Sequence, residues 1–394
     1  MRDVIGAEIA FSSTGTAAVG FGSENADATQ TASAFVSGRS SSRAFSAPHR
    51  LPAAQQVLSL AFAGPHLELL LGASANGDSC CGSVQAVSAS TQSLAGRHTV
   101  VGGLAGATVG RLVVLPGRLL SVVGTERGVW TAQAGGNGRF GPTRRLARAA
   151  MLPESVDATS LSGGHSVVVW TARTGLYAAG PRTIYQARGS LAAAPSSSRA
   201  AITVATGHRI DELAVGRRGA IPTVAWIESW FDSIGLYHSG AYVADLTGRP
   251  AARSVSPAGE LASGLSLAAD ARGAQVIAFR SCDAGGNCAL RAALRRAGGG
   301  RFGRLARVGA VDASEAPSAA EGPTGKALVG WIDQGHVLAA VAKPGALRFG
   351  ATRTVSSTGF GADLTTAFAP SGDALAVWTQ GTRSESVIGA IYRH

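Results

Sequence analysis

The chain has 394 residues, of which 45% are hydrophobic, 15% charged and 6% aromatic. This is a globular composition that excludes a disordered polymer and leaves material for one large core or several small ones in series. No run of some 18 or more apolar residues occurs, so no membrane-spanning helix is expected. The formal charge is +11 and the pI about 10.5, but the only lysines are Lys326 and Lys343 and the arginines are scattered along the whole chain, so a basic surface for nucleic acid is not expected.

Taken in order, the chain repeats one unit. Its clearest copy runs from Asp363 to Trp378: an alternating segment, the turn Pro370-Ser371-Gly372, and a second alternating segment ending in an aromatic. That is the pattern of a β-hairpin. Matching ends stand at Phe21, Leu71, Val123, Trp170, Trp226, Phe279, Trp331 and Trp378, at intervals of about 50 residues, which signals a repeat architecture. The turn positions in the same register are Gly15, Pro65, Gly117, Gly164, Ala220, Gly273, Gly325 and Gly372. Glycine is the residue a tight turn with positive φ requires.

A third alternating segment follows each hairpin, at Thr31–Ser37, Ser83–Ala89, Val129–Ala134, Thr183–Arg188, Ala241–Leu246, Ala289–Arg295, His336–Ala342 and Val387–Tyr392. Shorter fourth segments open with Phe45-Ser46, Phe140-Gly141, Phe302-Gly303 or Phe349-Gly350. Sustained spacing of three and four is missing, so almost no helix is expected. The longest loops are expected at Arg173–Pro181, Ser190–Arg199 and Glu228–Gly240 and at the two cysteine segments.

These units predict an all-β protein: a β-propeller of eight blades with about four antiparallel strands each, seven blades or an open β-solenoid being the alternatives. One domain is expected over 1–394, with repeats near 1–55, 56–105, 106–150, 151–208, 209–257, 258–314, 315–357 and 358–394. In register the last repeat stops after a third strand, and an upstream extension carrying the missing strand and an export signal is expected.

The turn Ala367-Phe368-Ala369-Pro370-Ser371-Gly372-Asp373 and the related Asp270-Ala271-Arg272-Gly273 resemble the propeller repeats of TolB-like proteins, a likeness of fold that extends along the chain as a repeat. The Gly-His and Trp-Asp pairs of WD repeats and the Asp-box of sialidases do not occur in register.

Four cysteines, Cys80, Cys81, Cys282 and Cys288, lie in two polar segments. Such exposed pairs fit an oxidising compartment, and Cys282 and Cys288 are expected to close a disulfide across their own loop. Their spacing does not suit zinc, and no metal site or cofactor is expected.

Motifs for chemistry are sparse. Gly77-Asp78-Ser79 resembles the nucleophile segment of chymotrypsin-like proteases but is followed by two cysteines, and Gly322-Pro323-Thr324-Gly325-Lys326 is read as a turn because Ala327 replaces the hydroxyl residue of a phosphate loop. Asp211, Glu212 and Asp363 start first strands, where carboxylates could converge for glycoside hydrolysis or simply bind backbone amides. One stretch stands out: Trp226-Ile227-Glu228-Ser229-Trp230-Phe231-Asp232-Ser233-Ile234-Gly235-Leu236-Tyr237-His238. Beyond the anchor it keeps several aromatics in what reads as a loop on a propeller face, a surface suited to sugar or protein contact. Trp230, Phe231, Tyr237, His238, Glu228 and Asp232 are therefore the candidate ligand-binding residues. Without a convergent catalytic motif, the sequence favours a monomeric, extracellular or cell-envelope propeller that binds a protein or carbohydrate ligand as a non-catalytic binder or scaffold. The alternative is a propeller glycosidase or lyase acting on polysaccharide.

Overall fold

Short alternating segments joined by glycine turns can satisfy their backbone only by pairing with their chain neighbours, and the described strands do so. The computed structural model describes residues 2–25, 33–40, 44–51, 54, 56–73, 83–90, 93–102, 107–125, 128–135, 139–146, 151–174, 182–356, 361–380 and 386–392. Among these the strands form antiparallel sheets in chain order. Sheet 1 comprises Arg2–Phe11, Ala17–Asn25, Ser33–Arg39 and His49–Leu51; sheet 2, Gln56–Ala63, His66–Ala73, Ser83–Ser90 and Ser93–Gly102. Sheet 3 comprises Ala107–Leu115, Arg118–Thr125, Gly128–Ala134 and Arg144–Arg145; sheet 4, Met151–Ser160, Ser166–Thr174, Thr183–Gly189 and Arg199–Thr203. Sheet 5 comprises Arg209–Arg218, Ile221–Phe231, Tyr237–Asp245 and Arg253–Ser254; sheet 6, Leu261–Ala269, Gln275–Cys282, Cys288–Arg295 and Ala306–Ala310. Sheet 7 comprises Ser318–Glu321, Ala327–Asp333, His336–Ala342 and Arg353–Thr354, and sheet 8 comprises Gly361–Phe368, Ala374–Gln380 and Ser386–Tyr392. The one helical turn among the described residues is a 3-10 turn at Ser162–Gly164.

The fold is a β-propeller. First strands of successive sheets pack side by side, and the first strand of sheet 1 packs against those of both sheet 2 and sheet 8, which closes the ring and removes the open-solenoid alternative. The expectation of eight four-stranded blades is corrected: seven blades are complete, and sheet 8 has three strands among the described residues.

All eight anchors are buried. They lie between sheets: Trp226 packs with Val167 and Ile184 of sheet 4, and Phe21 packs with Leu375 and Val377 of sheet 8. The turn glycines adopt positive φ, and where the register holds Pro65 or Ala220 the preceding Gly64 (φ 65°) or Gly219 (φ 62°) takes that conformation instead. The aromatic–glycine pairs also have a structural reason. The amides of Gly141, Gly303 and Gly350 donate to the third-strand carbonyls of Gln133, Leu294 and Val341, clipping each connection back onto its sheet.

Side chains of the first strands tie neighbouring sheets together. Ser59 Oγ accepts from the Leu112 amide (3.1 Å), Asp157 Oδ2 from Val215 (2.7 Å), Ser266 Oγ from Ala319 (3.0 Å) and Ser318 Oγ from Thr366 (3.0 Å). Glu212 accepts with both oxygens, from Gly264 (2.8 Å) and Leu265 (2.6 Å). Arg111 of sheet 3 reaches Glu8 of sheet 1 at 3.1 Å and Asp157 of sheet 4 at 3.3 Å.

Candidate functional site

The aromatic stretch is a hairpin, not a loop. The second strand of sheet 5 continues to Phe231 and the third begins at Tyr237, pairing Trp230 with His238 and Phe231 with Tyr237. The expected loop Glu228–Gly240 thus shrinks to a short turn. Asp232 builds that turn by accepting from the amides of Ile234 (3.0 Å) and Leu236 (2.9 Å), while Gly235 takes φ 82°. Pairing with a period of two puts Trp226 opposite Tyr242 and Trp230 opposite His238 on one face of the hairpin.

The rings on this face are ordered by stacking. Trp226 and Tyr242 stack at 5.6 Å, Trp230 and His238 at 5.5 Å, and His208 covers the other side of Trp230 at 4.7 Å. Both faces of the Trp230 indole are therefore occupied by imidazoles. Glu228 is buried beneath them; it accepts from His208 Nδ1 (2.5 Å) and from Trp226 Nε1 (3.2 Å). Phe231 and Tyr237 point elsewhere and meet edge to face at 5.5 Å. Phe231 is 68% exposed, and Ile234, Leu236 and Tyr237 are also exposed, so the hairpin tip presents an apolar surface to solvent.

His238 and Asp232 form a pair, with Nε2 and Oδ2 at 2.9 Å. That hydrogen bond, followed by the Leu236 amide, holds the Asp232 carboxyl below the usual carboxylate range. A cavity of about 550 Å³ opens beside the pair, walled by Trp230, Tyr237, His238, Tyr242, Ser254 and Glu260 among others. Burial, and then the Glu228 charge, raise the Tyr242 phenol, which stays protonated to higher pH than a free tyrosine. Glu260 is the only carboxylate among the described residues of the cavity wall. It is already engaged, accepting from Ser281 Oγ and from Nε and Nη2 of Arg291. Burial alone would raise its pKa, but these bonds outweigh burial and leave it lowered.

The other sequence candidates do not assemble. Asp211 pairs with Arg209 at 2.6 Å, and Glu212 binds the backbone of the next sheet. Asp363 lies in a bulge with φ 49°. Gly322 to Lys326 is a turn closed by the Gly322 amide on the Lys326 carbonyl. Cys282 and Cys288 form the expected disulfide. Their Cα atoms are 4.0 Å apart, and the two residues are directly paired across a hairpin. Cys80, Cys81, the Gly77-Asp78-Ser79 segment and residues 175–181 of the Arg173–Pro181 loop lie outside the described residues. Sequence reasoning missed His208 and Tyr242, which enter the site only through strand pairing and stacking.

Comparison with known proteins agrees on the fold. The sequence matches no protein-family model, and a search of curated proteins finds no relative. Among solved structures, the Dos1 propeller superposes with a TM-score of 0.56 at 11% identity, covering 99% of this chain and 93% of that one. A polysaccharide lyase described as PL25 ulvan lyase superposes with a TM-score of 0.52 at 10% identity, covering 84% and 91%. The polysaccharide lyase Uly1 gives 0.51 at 7% identity, covering 86% and 90%. Identities this low establish the shared fold alone. The expected non-catalytic binding or scaffold role is corrected to this extent: proteins that share the fold include polysaccharide lyases, so the fold lends that role no support.

Proposed function

We propose that the protein is an extracellular polysaccharide lyase whose site is the cavity beside the sheet 5 hairpin. The observation that carries this reading is the His238–Asp232 pair at the wall of a cavity that also holds Tyr242. Asp232 accepts from Nε2 of the imidazole, which leaves Nδ1 as the basic nitrogen, an arrangement suited to general-base catalysis. In β-elimination from a uronate, His238 takes the proton α to the carboxylate, the bond to the departing glycosidic oxygen breaks, a carbon–carbon double bond forms, and Tyr242 gives its phenolic proton to the leaving oxygen. Phe231 and Tyr237 supply apolar surface for neighbouring sugar rings, while Trp230, Glu228 and His208 hold the hairpin in place. The neighbouring lyase structures support the reading at the level of fold, and the Cys282–Cys288 disulfide is in keeping with an oxidising compartment.

A glycosidase is the less favoured reading, since it needs two carboxylates facing each other across the scissile bond, and the one in this wall is held by Arg291 and Ser281. The test is incubation of the purified protein with a panel of uronate-containing polysaccharides. New ultraviolet absorbance from an unsaturated sugar supports the lyase, new reducing ends without unsaturation indicate a hydrolase, and neither product overturns both.

A further inference from the structure

A second cavity, of about 500 Å³, lies on the same seam between sheets 5 and 6 and shares Ser254 with the first. Among the described residues its wall brings together Arg218, Arg249, Arg253, Arg295 and Arg301 with a single carboxylate, Asp245. Cations concentrated in a concavity raise the local anion concentration and bind anionic groups far better than the same charges dispersed over a surface.

Two of the arginines are built into the protein. Arg295 is 4% exposed and is held by Asp245 at 3.0 and 3.2 Å, by Thr223 and by Gln275, with its guanidinium 4.9 Å from the centre of the Phe302 ring. Arg218 donates to Asp245 Oδ2 at 3.0 Å, an oxygen that Arg295 also reaches. Asp245 is thereby consumed by two guanidiniums and the Thr223 hydroxyl, and it cannot neutralise the remaining three arginines. The Nε atoms of both Arg218 and Arg295 are buried without a hydrogen-bond partner. Burial of an unpartnered cationic donor is costly. Arg249, Arg253 and Arg301 are exposed and make no ion pair among the described residues, so they are free to close on a ligand by bidentate contact.

We propose that this arginine-lined cavity is a binding subsite for the sulfate ester or carboxylate groups of an anionic polysaccharide. The site stands on its own chemistry, whether or not the neighbouring cavity is catalytic. Single-stranded nucleic acid fits less well: it calls for a basic track with open aromatic platforms, whereas these arginines converge on one concavity and the Arg295 guanidinium covers Phe302.

The test measures binding of dextran sulfate, polygalacturonate, unsulfated dextran and a single-stranded oligonucleotide at fixed ionic strength. Wild type is compared with the triple variant Arg249→Gln/Arg253→Gln/Arg301→Gln. A second triple, Arg50→Gln/Arg118→Gln/Arg182→Gln, removes the same charge from exposed positions elsewhere, and melting curves confirm that both are folded. The expected result is binding of one or both polyanionic glycans and none of dextran, with affinity falling at least tenfold in the cavity triple and less than twofold in the remote one. The two glycans distinguish a sulfate from a carboxylate ligand. Equal losses in the two triples, absence of binding to either glycan, or tighter binding of the oligonucleotide would overturn the proposal.

Discussion

The imidazole of His208 lies flat on the indole of Trp230, with ring centroids 4.7 Å apart and planes within 4°. Since His238 covers the opposite side, Trp230 is a structural member of the hairpin, and Phe231, 68% exposed, is its opposite. Trp230→Ala is expected to cost about 2 kcal/mol in chemical denaturation through lost ring packing. Phe231→Ala should change stability by no more than about 0.5 kcal/mol, so that any effect it has on polysaccharide affinity reports contact with ligand.

Glu212 bridges sheets 5 and 6 through two backbone amides of the next first strand. Removing the carboxylate in Glu212→Ala leaves the Gly264 and Leu265 amides without their acceptor and should cost about 2 kcal/mol or more. Glu212→Gln, which keeps one oxygen, should lose less. Urea unfolding of the two variants reads the difference, and identical stabilities would mean that the bridge contributes nothing.

Glu321 is pushed up to about 8 by burial, helped by the charge of Asp270 and opposed by Arg272. One of its oxygens is buried without a partner. A carboxyl with a raised pKa binds its proton more tightly in the folded state. Its contribution is therefore fully present below the unfolded value of about 4.5 and is lost as pH rises to about 8. Thermal melts across that window should show stability falling in wild type, with a flatter profile in Glu321→Gln and a stability gain for that variant above pH 8.

The Cys282–Cys288 bond closes a short hairpin whose turn is already fixed by Asp283, which accepts from the amides of Gly285 and Asn287 at 2.9 Å each. Cross-linking so short a loop restricts the unfolded chain little. The double variant Cys282→Ala/Cys288→Ala should lose about 2 kcal/mol or less. Thiol titration of denatured protein prepared without reductant, combined with peptide mapping, should find neither cysteine free.

Much of the fold could be read from the anchors and turn glycines, because a propeller repeats one packing problem and its solution recurs at fixed spacing. Trp226, Trp331 and Trp378 are buried where the register puts them. The hairpin at Trp230 was harder to recognise. Glu228 and Trp230 share one face, and Phe231 continues the strand beyond the usual end of a sheet, so polar and aromatic residues there resemble a loop. Glu228 is buried on His208 and Trp226 instead of facing a ligand, a placement that depends on a partner in another strand. The arginine cavity was illegible for the same reason: Arg218, Arg249 and Arg301 are far apart in sequence, and arginines abundant everywhere signal nothing until the sheets bring a few together.

The most direct test of the central claim is the rate at which unsaturated sugar is released from an anionic polysaccharide by wild type and by His238→Ala and Tyr242→Phe. Wild type should release measurable unsaturated product and each variant should be slower by about 100-fold or more, as for loss of a general base or acid, with melting temperatures showing the variants folded. Release at the wild-type rate by folded His238→Ala, or no unsaturated product from wild type on any uronate polysaccharide, would contradict it.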